Sequence, residues 1–132
     1  MADAAKILNI SSGLGRRPMA ASALYCAGKA GLDHFTRCLA LDEALHSHPA
    51  KVVSIAPGVI DTDMQTDLRS AKGASFPDQN MFVQLKNNGA LTSPDEAARQ
   101  LLAYVQRADF GSNPVADVRD NQARANTKNS PP

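Results

Sequence analysis

At 132 residues the chain is long enough for one domain around a single core. Hydrophobic residues make up 43% and charged residues 20%, an ordinary composition for a globular protein. A net charge of +1 with no basic block argues against a nucleic-acid binder, and no apolar run reaches the ~20 residues that a membrane-spanning helix needs. The opening Met1-Ala2-Asp3-Ala4-Ala5-Lys6 holds no apolar signal core, which predicts a cytoplasmic protein.

Lys6–Ser11 is a short apolar run with β-branched residues and predicts a buried parallel strand. Residues 13–21 read as a loop. It contains Gly13-Leu14-Gly15, but Pro18 stands at the third glycine position of a dinucleotide fingerprint, so the loop is read as a flexible pocket wall. Ser22 is a candidate N-cap for a helix running to about His46, with Leu24, Leu32, Phe35, Leu39 and Leu41 on its apolar surface. Gly28 and Gly31 cost helix propensity, which predicts a close neighbour against that helix. Cys26 and Cys38 would lie about 18 Å apart along it, too far for a disulfide. They read as free thiols in a reducing compartment. No metal site is expected, because His34, His46 and His48 form no ligand pattern with them.

Lys51–Ala56 is a second strand, ended by Pro57-Gly58. Thr62 can cap a short helix at 63–69, residues 70–77 read as a mobile loop, and a further helix at 78–87 ends at Gly89. Ser93-Pro94-Asp95-Glu96 combines a cap, a proline at the first helical position and an acid three residues after the cap. The helix it opens carries Ala97, Ala98, Leu101, Leu102 and Val105 and runs to about Gln106. Residues 115–119 form a third, edge-like strand, and 121–132 is a polar tail expected to be disordered. Strands alternating with helices predict an α/β layer fold with a parallel sheet covered on both faces.

The chemistry concentrates early in the chain. Tyr25 and Lys29 lie one helical turn apart on one face, and Ser12 follows the first strand. A phenol is a poor acid near neutrality, its ordinary pKa being about 10. A nearby cation favours its phenolate, and a tuned tyrosine exchanges a proton with a carbonyl or alcohol oxygen. Taken singly these residues are unremarkable: a packing tyrosine, a solvated lysine, and a strand-end serine bonded to backbone. Their order is what carries information.

Ser12…Tyr25-Cys26-Ala27-Gly28-Lys29 resembles the catalytic core of the short-chain dehydrogenase/reductase family. Val52 to Met64 resembles that family's next strand and its Pro-Gly-x-x-x-Thr loop, at a spacing from Tyr25 close to the usual one. The resemblance covers roughly residues 6–120, and Ser54–Gln65 is most similar to the sepiapterin reductase and benzil reductase branch. It implies carbonyl reduction with NADP or NAD. Tyr25 would be the acid/base and Ser12 would polarise the substrate carbonyl. Lys29 would tune Tyr25 and hold the nicotinamide ribose. Pro57, Gly58, the backbone of Ile60 and the Thr62 hydroxyl would hold the nicotinamide end. Gly13, Leu14 and Met64 would line the substrate pocket, and residues 61–77 would form a lid.

The chain also departs from the family pattern. The glycine-rich Thr-Gly-x-x-x-Gly-x-Gly turn that binds pyrophosphate is absent, as are the first four strands and the asparagine that precedes the Ser strand. Asn87-Asn88-Gly89-Ala90 superficially resembles a family motif but lies downstream of Tyr25, and reads as a helix end. The expected architecture is therefore the C-terminal half of a Rossmann-like doubly wound sheet over residues 1–120. Two functions are compatible with it. One is the catalytic half of a reductase. The other is a truncated half-domain that acts as an interaction or dimerisation module. Either predicts a homo-oligomer or pairing with an N-terminal half, because the first strand becomes an apolar edge.

Overall fold

The computed structural model describes residues 3–59 and 91–119. The expected elements at 63–69, 70–77 and 78–87, the lid, the Asn87–Ala90 segment and the 121–132 tail lie outside the described residues. Within them the order is β1 (Lys6–Ile10), a 3-10 turn (Gly13–Gly15), α1 (Ala23–Glu43), β2 (Lys51–Ala56), α2 (Pro94–Val105) and β3 (Val115–Asp117). The three strands form a parallel sheet in the order β1-β2-β3. Leu8 pairs with Val53 and Ile55 with Ala116, which fixes the register on both sides of β2.

The central strand is buried along Val52–Ala56 because its alternating side chains meet cover on both faces. On one face Val53, Ile55, Phe110, Ala116 and Val118 form the apolar cluster, with Leu8, Leu101, Tyr104 and Val105 packed against it. Tyr104 and Phe110 meet edge to face at 5.8 Å between ring centroids. The Lys6 ammonium lies over the Phe110 ring and donates to the Val105 carbonyl, closing α2 onto the sheet. Ser93 caps α2 as its sequence signal predicts, its Oγ accepting from the Glu96 N–H at 3.2 Å.

The opposite face carries Val52 and Ala56 together with buried polar groups. Ser54 and Asn9, which alternate with the apolar residues, turn toward α1. There Ser54 donates to Asp33 and the Asn9 amide donates to the Thr36 hydroxyl. Asp33 and Thr36 are the buried residues of α1. The expected apolar surface of α1 is only partly packed: Leu32 and Leu39 are half-buried, while Leu24, Phe35 and Leu41 are exposed. Among the described residues no close neighbour explains Gly28 and Gly31 either, since a Cβ built at either position meets nothing within 4 Å. Ser22 occupies the N-cap position without a side-chain cap bond, and α1 ends at Glu43, short of His46.

These two glycine environments separate two effects. Gly28→Ala should stabilise the fold by about 0.5–1 kcal/mol, because an exposed helix interior gains propensity and nothing clashes. Gly111→Ala should destabilise it, because Gly111 has φ +92 and its Cβ would lie 2.8 Å from the Lys51 Cβ. Urea unfolding of the two variants reads the opposite signs.

Candidate active site

The site lies where the strands end. β1 runs into Ser11, whose N–H still bonds the Ile55 carbonyl at 2.8 Å, and then into the turn that Ser12 caps. The Ser12 Oγ accepts from the Leu14 N–H at 3.2 Å, which leaves its own O–H to donate elsewhere. Tyr25 sits in the first turn of α1 and is 38% exposed, so its phenol is accessible. Lys29 lies one turn on. Its Nζ is 5.8 Å from the Tyr25 ring centroid and donates to the Ile10 carbonyl at 3.0 Å. That bond seats the ammonium at the outer edge of β1, two residues before Ser12. Two of its three donors remain for other partners.

The turn packs directly against α1. A Cβ at Gly15 would stand 2.6 Å from Asp33 Oδ2 and 3.1 Å from the Lys29 carbonyl, so this part of the turn rests directly on α1. Gly13 and Leu14 belong to the same turn. Arg16, which the sequence reading missed, carries the other attachment: Nε and Nη2 reach Asp33 at 3.3 and 3.5 Å, and Nη1 donates to the Ala116 carbonyl at 2.8 Å. Asp33 was missed as well, because a lone acid on a helix gives no signal until its burial is known. It is 2% exposed. Burial alone would raise its pKa, but the neighbouring hydroxyls of Ser11 and Ser54 and the Arg16 guanidinium hold it below the ordinary 3.8. Ser11 acts as a nearby dipole, since its buried Oγ makes no hydrogen bond of good geometry.

Pro57 is buried at the end of β2, and Gly58 follows with φ +83, a conformation that favours glycine. The Arg119 side chain lies 3.7 Å from where a Gly58 Cβ would be, and Arg119 also pairs with Asp117 at 2.7 Å. Burial would raise the Asp117 pKa, but the Arg119 bonds and the charges of Arg119 and Arg16 hold it below its ordinary value. The end of β3 thus flanks the Pro57-Gly58 turn. Ser12, Pro57 and Gly58 therefore follow the ends of β1 and β2, and the Lys29 bond to the Ile10 carbonyl brings α1 to the end of β1. Ile60, Thr62 and Met64 lie outside the described residues.

Comparison with known proteins bears on the family and the fold. A family model described as short chain dehydrogenase matches residues 1–73. A benzil reductase ((S)-benzoin forming) of Bacillus cereus is 36% identical over 113 residues, covering 86% of this chain and 45% of that protein. A sepiapterin reductase of Mus musculus is 36% identical over 115 residues, covering 86% of this chain and 42% of that protein. Among solved structures, the KRED1-Pglu enzyme superposes with a TM-score of 0.70 at 33% identity, over 82% of this chain and 45% of the other. A short chain dehydrogenase/reductase of Saccharomyces cerevisiae also gives 0.70, at 26% identity, over 89% and 47%. The chain spans less than half the length of each of these relatives.

The buried carboxylate has a measurable signature. Because the Asp33 pKa is lowered on folding, its charged form contributes stability above the ordinary value of 3.8, and the contribution fades as pH falls through the lower folded value. Asp33→Asn should therefore be less stable than the unaltered protein at neutral pH, with the gap narrowing in acid. Asp117 titrates in both proteins, so the difference between their pH profiles isolates Asp33. A gap that is constant from neutral to acid pH would contradict a lowered value.

Proposed function

The chain belongs to the short-chain dehydrogenase family, and from that premise we propose that it supplies the acid/base half of a nicotinamide-dependent carbonyl reductase. The observation that carries the reading is the Lys29 bond to the Ile10 carbonyl, which holds an ammonium between the Tyr25 ring and the end of the Ser12 strand. The accessible Tyr25 phenol gives its proton to the carbonyl oxygen of a small-molecule substrate, and in the reverse direction takes one from an alcohol. The free O–H of Ser12 donates to the same oxygen and polarises the carbonyl. The two uncommitted Lys29 donors suit the hydroxyls of a ribose. Gly58, with no Cβ and positive φ, allows backbone to approach a flat ring closely. Pro57 shapes that turn, and by resemblance Ile60 and Thr62 would hold the nicotinamide end. A bound NADP or NAD supplies the hydride, which no side chain can. Tyr25 would supply the proton that the carbonyl oxygen takes up as the substrate becomes an alcohol.

Benzil reductases and sepiapterin reductases are among its relatives, so diketones and pterins are the substrate classes to test. No helix among the described residues is long and apolar enough to cross a membrane. The free thiols Cys26 and Cys38 fit a cytoplasmic setting.

A second reading, an interaction module, rests on the outward face of α1. Leu24 is 90% exposed, Leu41 72% and Phe35 58%, beside the open Gly28 and Gly31. The outer edge of β1 is also unpaired by any strand among the described residues. Both features suit self-association or pairing with the glycine-rich half of the fold, so the two readings share an assembly.

Calorimetric titration should find weak cofactor binding to the 132-residue chain alone. The chain lacks a pyrophosphate-binding glycine turn, and a few hydrogen bonds at the nicotinamide end contribute modestly. Complementation with a family N-terminal half should restore reduction of a diketone or pterin. In that assembly Tyr25→Phe should lower kcat by roughly 10²–10⁴-fold, and Lys29→Ala should impair both kcat and cofactor affinity. Full activity of Tyr25→Phe would remove the mechanism. Sedimentation addresses the second reading: the unaltered chain should self-associate, and Phe35→Ser should weaken the association.

A further inference from the structure

The reductase reading needs Ser12 and the Tyr25–Lys29 stretch in fixed register, yet they lie on different elements, and the segment joining them, residues 16–22, contains no helix or strand. What fixes that register is visible outside the reacting groups. We propose that Arg16 and Asp33 are positioning residues, a clamp that sets the Ser12 turn against α1; the proposal deepens the reductase reading and rests on it for its catalytic consequence.

Arg16 follows the 3-10 turn immediately, and its side chain is only 27% exposed. The guanidinium presents a planar fork of donors and uses it on three elements at once. Nε and Nη2 meet the Asp33 carboxylate on α1, Nη1 meets the Ala116 carbonyl on β3, and Nη2 also reaches the Ser54 carbonyl on β2 at 3.4 Å. The carboxylate contacts are long and the Ala116 bond is short. The fork therefore acts less as a strong ion pair than as a three-way spacer. Asp33 is held from the other side by the Ser54 hydroxyl at 2.8 Å, so it cannot follow if the turn moves. Gly15 limits approach where Arg16 limits retreat, because any Cβ there would collide with Asp33 Oδ2 and crowd the Lys29 carbonyl. Attraction on one side and contact on the other leave the turn one position. Ser12 heads that turn, bonded to Leu14, and Lys29 is the residue the turn rests on.

The test measures amide hydrogen exchange of Leu14, Gly15, Arg16 and Arg17, whose N–H groups bond Ser12 Oγ, the Ser12 carbonyl and the Gly13 carbonyl. Arg16→Gln should speed exchange of these amides about tenfold or more, while Val53 and Ile55 in β2 stay within about twofold. Arg16→Lys keeps the charge but cannot span three acceptors. It should leave the urea midpoint unchanged and still speed exchange in the turn several-fold. In the complemented assembly, with benzil as probe, Arg16→Lys should lower kcat severalfold with KM for cofactor nearly constant. Turn exchange unaltered in Arg16→Lys would overturn the proposal. So would acceleration of turn and β2 together in that variant, which is the mark of a merely stabilising ion pair, or a loss confined to KM. Failure of the unaltered assembly to reduce any carbonyl probe, with selective loosening of the turn still observed, would overturn the reductase reading and support the clamp.

Discussion

A carboxylate buried beneath the helix that carries Tyr25 and Lys29 is the constraint on which the rest of this structure turns. Taking an ionised carboxylate out of water costs several kcal/mol unless paired groups replace the lost solvation. Asp33 meets that cost with the Ser54 hydroxyl, the Arg16 guanidinium and the nearby Ser11 hydroxyl. Each of those partners belongs to a different segment. Satisfying one charge therefore fixes the relative placement of the central strand, the helix and the turn after the first strand.

The sheet divides its labour between its faces. On the α2 face, apolar side chains from Leu8 to Val118 exclude water and supply non-directional attraction. On the α1 face, Asn9, Ser54, Thr36 and Asp33 interlock through hydrogen bonds, including the Thr36 hydroxyl bond back to the Leu32 carbonyl. Hydrophobic packing tolerates small slides between surfaces, whereas a hydrogen-bond network has one good geometry. The face covered by the helix that carries Tyr25 and Lys29 is the directional one.

Partnering follows from the same division. With polar groups of α1 turned inward, Leu24, Phe35 and Leu41 are left facing outward. The pleat turns Ala5 and Ser11 toward β2, where they bond Lys51 and Ile55. It therefore presents Lys6, Leu8 and Ile10 along the outer edge, and Lys29 occupies the Ile10 carbonyl there. Both surfaces are open among the described residues of a chain whose matches cover 45% and 42% of two of its relatives.

The sequence by itself determined the elements and their order. Apolar β-branched runs marked β1 and β2, and the Ser93-Pro94-Asp95-Glu96 cap marked the start of α2, because these signals act within a few residues. It also determined the candidates Ser12, Tyr25 and Lys29, whose order along the chain is itself the signal. Tertiary structure alone decided which side of α1 is inside. Leu24, Leu32, Phe35, Leu39 and Leu41 suggested an apolar surface, yet only Leu32 and Leu39 are half-buried while Asp33 and Thr36 are fully buried, because a polar residue becomes a core residue only when distant segments bring its partners. The same reason hid Arg16: its acceptors on Ser54 and Ala116 are remote in sequence, and only the folded sheet sets them around one guanidinium.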